Sequence, residues 1–169
     1  MTITAHAVGA TEGYVYVRSE YPHAVSALRR AIDAAYTHGY LGADVLGSGL
    51  TFDLHVRVGA GAYICGEESS MLDSLEGRRG EVRAKPPIPA ISGLFGQPTA
   101  VNNVLTLCAV PMILTDGGAA YAALGTGRSR GTQVFQLAGN VKQGGIVELP
   151  FGVSPVSYTH LTLPTTPYV

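Results

Sequence analysis

Two periodicities run through the first half of the chain. Phe52, Leu54, Val56 and Val58 alternate with Asp53, His55 and Arg57, the period of two that puts one set on a buried sheet face. Val25, Leu28, Ile32 and Ala35 recur instead at three- and four-residue spacing, with Arg29, Arg30 and Asp33 mostly outside that stripe. This is the signature of a surface helix lying on a core. Pro22 suits its first turn, and Gly39 marks its end. Residues 14–18 (YVYVR) are β-branched and aromatic and predict a strand. Residues 1–8 read as the last turns of a helix stopped by Gly9, and residues 41–50 as a loop with a short apolar piece. Strand, helix, strand, glycine turn and helix in this order predict an α/β fold with parallel pairing.

After Gly59 and Gly61 the pattern predicts a helix from 63 or 64 to 75, with Ile64, Met71, Leu72 and Leu75 on its apolar arc. At 100° per residue Glu68 falls near the middle of that arc and Glu67 at its edge. A carboxylate facing inward is costly unless it is partnered or protonated, and the first turn offers free amides and the helix dipole. Two readings stand: a capping carboxylate pair, or a pair tuning a buried redox or transfer centre. Gly66 leaves bare backbone on which a flat ligand could lie.

Glu76-Gly77 closes this helix, and Arg78, Arg79, Arg83 and Lys85 follow. The basic run reads as a solvated face. Yet Lys85 sits on a strap made rigid and extended by Pro86, Pro87 and Pro89, from which it could reach a phosphate at little entropic cost. Thr99 is the expected N-cap of the next helix. Asn102, Asn103 and Thr106 then share its first two turns and can cluster. Capping accounts for one Asn; binding the polar edge or phosphate of a planar ligand accounts for both. Together the two helix starts suggest an anion-tolerant pocket. Pro111 is expected to kink this helix, which ends by Gly117-Gly118, and a short helix follows at 119–124. GTGRSRG at 125–131 reads as a basic linker, too short for a nucleic-acid patch. Segments 132–138 and 146–149 predict two strands around Asn140 and Gly144-Gly145. Residues 153–169 change character, being rich in Thr and Pro without a period, and look like non-native sequence.

Composition narrows the classes. The chain has 169 residues, 46% of them hydrophobic, and a formal net charge of −1, enough for one core and with no pull toward nucleic acid or an anionic membrane. Charged residues are only 14%, a surface either covered by partner subunits or shortened by missing chain. Cys65 and Cys108 are the only cysteines; both read as interior helix, and two cannot build a disulfide scaffold. The five His are scattered without ligand spacing, so no metal site is assigned. His55 reads as a solvated strand residue rather than a base. No apolar run reaches the length of a membrane span, and no signal peptide is visible. The expected location is the cytoplasm.

Taken together, Tyr63-Ile64-Cys65-Gly66-Glu67-Glu68, Lys85-Pro86-Pro87 and Asn102-Asn103 resemble the NADH-binding, FMN-carrying subunit of respiratory complex I and its relatives in NAD-linked formate dehydrogenases and hydrogenases. The resemblance covers residues 1–152. The local glycine string, GAGAYICG, is not the ordinary GxGxxG fingerprint. The resemblance implies a partial Rossmann-like FMN/NADH-binding domain at 1–128 and the opening strands of a ubiquitin-like β-grasp domain at 129–152. It implies FMN contacts from Tyr63, Gly66, Glu67, Glu68, Asn102, Asn103 and Thr106, Lys85 on the NADH side, and Glu67 as the catalytic residue. Ile88 stands where the family often has an aromatic, and Leu105 where a Glu is common.

The segment GTGRSRGTQVFQLAGNVKQGG resembles the formate dehydrogenase branch. In that branch electrons would pass between a molybdenum or tungsten subunit, a thioredoxin-like iron–sulfur subunit, this flavin and NAD. Two rival readings are a complex I flavin subunit and a non-catalytic electron-chain scaffold. The family's N-terminal glycine-rich loop and its C-terminal domain, with cysteine ligands for a four-iron four-sulfur cluster, have no counterpart in 1–152. The chain therefore reads as an internal fragment, inactive alone.

Overall fold

The computed structural model describes residues 1–139 and 144–154. The chain forms two compact units, Met1–Asn102 and Asn103–Val169. In the first, helix α1 (Thr2–Val8) stops at Gly9 in the left-handed conformation, φ 70°. Strand β1 (Glu12–Arg18), helix α2 (Pro22–Thr37) and strand β2 (Asp53–Gly59) follow. The strands pair in parallel, from Glu12 opposite Asp53 to Arg18 opposite Gly59, as strand–helix–strand order requires.

The helical stripe is seen directly: Val25 is buried, and Leu28, Ile32 and Ala35 are half-buried among exposed neighbours. The core gathers Ala5, Leu41, Val45 and Phe52, with Ile32, Ala35, Leu50 and Leu54 packed against it. Leu41 and Val45 reach it because the connection folds back on the start of β2 through a Gly42–Phe52 bridge and a 3-10 turn at Val45–Gly47. Tyr36 fastens α2 to the same strand end: its hydroxyl donates to Asp53 Oδ1 at 2.8 Å and accepts from Leu54 N at 3.3 Å.

The clean alternation expected of β2 is not observed. Leu54, His55 and Val56 are all half-buried, and Val58 is 47% exposed. Among the described residues the core cluster takes in Phe52 and Leu54 at the start of the strand and does not extend to Val58. His55 packs beside Tyr14, ring centres 5.2 Å apart. At the strand exit a side chain on Gly59 would have to displace the Tyr16 ring, whose hydroxyl lies 2.4 Å from the point where its Cβ would stand.

The helix expected from 63 or 64 is two elements. A 3-10 turn at Tyr63–Gly66 precedes helix α3 (Glu68–Leu75), with Glu67 extended between them. Thr99 caps no helix: its hydroxyl accepts from Leu94 N at 2.9 Å and donates to Gln97 O, so it closes the 3-10 turn at Leu94–Gly96. The proline strap is not extended throughout; it bends at residues 85–87.

In the second unit helix α4 (Val104–Asp116) runs on through Pro111, and α5 (Gly118–Ala123) follows Gly117. None of the residues of α4 is buried, and Cys108 is exposed rather than interior; α4 is apolar nearly all round, so its sequence could not show which face is covered. GTGRSRG is not a linker but a hairpin, β3 (Gly125–Thr126) with β4 (Ser129–Arg130). Gly127, with φ 54°, supplies the positive φ its two-residue turn needs. Strands β5 (Thr132–Leu137) and β6 (Gly145–Pro150) pair antiparallel as expected, Thr132 opposite Pro150. Asn140 and most of the suspected non-native tail lie outside the described residues.

Phe52 is 2% exposed at the centre of the core, so Phe52→Ala is expected to cost about 3–5 kcal/mol. Val58→Ala, at the uncovered strand end, should cost less than about 1 kcal/mol. Urea denaturation midpoints of the two variants check the contrast.

Candidate functional site

The site is built on α3 and the strap that follows it. Residues 69, 72, 73 and 76 share one helical face by the three- and four-residue rule. Ser69, Leu72 and Asp73 on that face are buried, and the Glu76 side chain is nearly so. The expected apolar arc is therefore displaced: Met71 and Leu75 are only half-buried, and the inward carboxylate is Asp73, not Glu68. A polar face is tolerable here because a cation reaches it. Arg83 donates from Nη2 and Nε to Asp73 Oδ1, at 2.6 and 3.0 Å, and lies 3.1 Å from Glu76 Oε2. Arg78 adds a second donor to Asp73 at 2.9 Å. Arg83 holds the Asp73 carboxyl below its ordinary value, with Arg78 assisting. These two arginines belong to a charge run whose sequence reads as solvated; Arg83 is instead a structural partner of α3.

Glu67 is the N-cap of α3. Its Oε2 accepts from Ser70 N at 2.9 Å and from the Ser69 hydroxyl at 2.5 Å. Lys85 Nζ stands 3.3 Å from Glu67 Oε1 and pairs closely with Glu68 Oε1. The side chains of Glu67 and Glu68 are 31% and 39% exposed, so the acidic pair lies at the rim of the unit, half-open to solvent. The Ser69 hydroxyl first, then the Ser70 amide and Lys85, hold Glu67 down to about 2. The pairing with Glu68 and then Glu67 raises Lys85. Beside them Tyr63 is 90% exposed, and nothing lies within 4 Å of the point where a Cβ on Gly66 would stand. The turn thus offers an uncovered ring and bare backbone next to a charged cluster.

Of the predicted residues, Tyr63, Gly66, Glu67, Glu68 and Lys85 fall together in the first unit. Asn102 is its last residue and lies outside α4, so the helical relation to Thr106 expected for it does not exist. Asn103 is the N-cap of α4, its Oδ1 accepting from Leu105 N at 2.9 Å, and Thr106 lies in the first turn; both are exposed and belong to the second unit. Each helix start is capped by its own side chain, so neither is a bare anion site of the kind expected. Ser69, Asp73 and Arg83 escape the sequence reading because hydrophobic periodicity has no sign for a face buried through ion pairs. The signal that could show them is polar residues at three- and four-residue spacing, Ser69, Asp73 and Glu76, with an arginine beyond the next turn. Among the described residues no group of three His, Cys, Asp or Glu is placed to hold a metal, and no helix is long and apolar enough to cross a membrane.

Because Glu67 is held at about 2 against an ordinary value of 4.5, its capping contribution is complete above the unfolded value and disappears as pH falls through the folded one. Urea midpoints are expected to drop between about pH 5 and about pH 2, and the drop should be smaller in Glu67→Gln.

Comparison with known proteins places this geometry. Residues 1–112 match the model of the family described as the Nuo51 FMN-binding domain. The chain is 49% identical over 154 residues to the F subunit of NADH-quinone oxidoreductase of Escherichia coli, covering 91% of this chain and 35% of that protein. It is 47% identical over 154 residues to the HndC subunit of the NADP-reducing hydrogenase of Solidesulfovibrio fructosivorans, covering 91% and 31%. The crystal structure of an NAD+-reducing [NiFe]-hydrogenase in the H2-reduced state superposes with a TM-score of 0.85 at 38% identity, over 98% of this chain and 28% of that one. The chain thus spans about a third of the length of the curated relatives it matches. With the family model covering the whole of α3, the strap and the acidic pair, this chain belongs to the Nuo51 FMN-binding domain family.

Proposed function

We propose that this chain is part of an NAD(H)-linked flavoprotein subunit in which FMN is held against the 3-10 turn at Tyr63–Gly66 and the start of α3. One observation carries the reading: an acidic pair and a lysine close on each other beside an uncovered aromatic ring and unobstructed backbone. The residues present fit such a group. A planar ring system needs a flat approach, which Gly66 leaves open, and a stacking or edge partner, which Tyr63 supplies. Its polar edges need fixed donors and acceptors, which Glu67, Glu68 and the amides around them provide. Bound FMN supplies hydride exchange with nicotinamide and release of electrons one at a time.

The work of the chain is position and charge. Glu67, held ionised at neutral pH by Ser69 and Ser70 N, keeps a fixed negative charge at the site, which disfavours added negative charge nearby and lowers the reduction potential. Glu68 anchors Lys85, keeping an ammonium available to the phosphates of the nicotinamide nucleotide. Asn102, Asn103 and Thr106 are proposed as the second set of FMN contacts. The domain division proposed is the flavin domain at 1–128 and the opening of a β-grasp domain at 129–152. A four-iron four-sulfur cluster is proposed for the remainder of the full-length subunit.

For the electron partner we propose a formate-oxidising molybdenum or tungsten subunit, reached through a thioredoxin-like iron–sulfur subunit in the cytoplasm; the sequence of residues 125–145 supports it. The relatives named above favour a second reading, in which the partner is a hydrogenase or quinone-reducing assembly. The neighbouring genes separate them, a formate-oxidising molybdoprotein against hydrogenase or membrane proton-pumping subunits.

In the full-length subunit with its partners, Glu67→Gln is expected to raise the flavin midpoint potential in a redox titration; an unchanged midpoint refutes the role given to Glu67. Asn103→Ala should lower the flavin retained through purification, read from the absorbance spectrum. A wild-type protein with no flavin sinks the whole reading.

A further inference from the structure

Lys85 and Glu67 come from separate segments, yet one buried side chain touches what holds both. Ser69 is 1% exposed. Its hydroxyl donates to Glu67 Oε2 at 2.5 Å and accepts from Arg83 N at 2.9 Å. Glu67 is thereby fixed at the head of α3, and the backbone of the strap is fixed two residues before Lys85. The Arg83 side chain completes the clamp through Asp73, Glu76 and the Gly93 carbonyl. A serine hydroxyl can serve as donor and acceptor at once, and both capacities are used here. Neighbouring Ser70 is equally buried and belongs to the same turn, but its hydroxyl has no hydrogen-bond partner among the described residues. Burial alone therefore does not account for the bonds of Ser69.

We infer that Ser69 is a positioning residue for nicotinamide binding: its hydroxyl registers the Lys85 strap against the Glu67 carboxylate, so that lysine and acidic pair are presented in one fixed geometry. The inference rests on the proposed function of the site. It adds that the two halves of the charged cluster are coupled through one oxygen. Without that oxygen the Arg83 amide loses its acceptor, Glu67 keeps only the Ser70 amide and Lys85, and Lys85 hangs from a strap with one anchor fewer. The loss falls on ground-state binding of the nucleotide, and so on KM.

The test is a double-mutant cycle in the full-length subunit within its native complex, measuring NADH oxidation with ferricyanide as acceptor and flavin content of the same preparations. Ser69→Ala is expected to raise the KM for NADH about tenfold, the scale of losing a hydrogen bond to a charged group. Lys85→Ala should raise it at least as much. Introduced into Lys85→Ala, Ser69→Ala should add less than about twofold, because both act through one lysine. Ser70→Ala removes the same atom at the same depth while leaving the amide that donates to Glu67, and it should raise KM by less than Ser69→Ala does. Ser69→Cys, which keeps the volume with only a weak donor, should shift KM in the same direction as Ser69→Ala and serves if that variant does not assemble. Additive effects in the cycle overturn the inference, as do equal effects of Ser69→Ala and Ser70→Ala. A wild-type protein without flavin, or a Lys85→Ala variant with unchanged KM, overturns the underlying reading instead.

Discussion

The contact between Arg83 and Asp73 spans ten residues and a turn of chain, and the rest of the site depends on it. A buried carboxylate is expensive, and one left without its cation is among the costliest defects a small domain can hold. Asp73 therefore depends on the guanidinium groups brought to it, Arg83 from the strap and Arg78 from the turn after α3. Once the guanidinium is docked, the strap is laid across the head of α3, and Lys85, two residues on, has little choice of where to go. The same clamp gives Glu76 its neighbour, and Glu76 in turn accepts from Phe95 N at 2.8 Å, which ties in the loop closed by Thr99. A polar inner face thus ties three segments together.

This explains why the acidic pair is where it is. A hydrophobic contact is non-directional and tolerates sliding; a bifurcated arginine with a serine hydroxyl beside it does not. The polar arrangement is suited to holding charges at fixed points at a half-exposed rim, where hydrophobic packing alone would leave them mobile. It also changes what kind of binding surface this is. In a common dinucleotide site the free amides of a helix start receive a phosphate. Here Glu67 engages the Ser70 amide at the head of α3, and Asn103 engages the Leu105 amide at the head of α4. The proposed reading leaves anion recognition to Lys85 and the backbone of the glycine turn, in keeping with the absence of a GxGxxG string.

Much of the fold is legible before folding. The α2 stripe, the parallel strands, the glycine stops at Gly9 and Gly77, and the β5–β6 hairpin follow from periodicity and turn chemistry, which are local. So does the grouping of Tyr63, Gly66, Glu67 and Glu68, because four of six successive residues cannot be far apart. The departures share a cause. Periodicity starts α3 too early because it takes the apolar arc for the buried one. It makes Thr99 a cap because no local rule distinguishes a hydroxyl that caps a helix from one that closes a 3-10 turn five residues back. The alternation in β2 is sound as a strand signal but says nothing of how far the core extends along it.

Sequence alone therefore determined the elements whose reasons are short-ranged: strand and helix periods, caps that act within four residues, and the family motifs that name the chemistry. Tertiary structure alone decided which carboxylate is buried, which serine is bonded at both lone pair and proton, and that the basic run splits into a structural arginine and a presented lysine. The physical reason is that the free energy of a charge depends on what is brought to it from elsewhere in the chain. Asp73 and Glu68 are the same chemistry five residues apart, and only the arrival of Arg83 at one and Lys85 at the other makes the first a buried brace and the second a surface anchor.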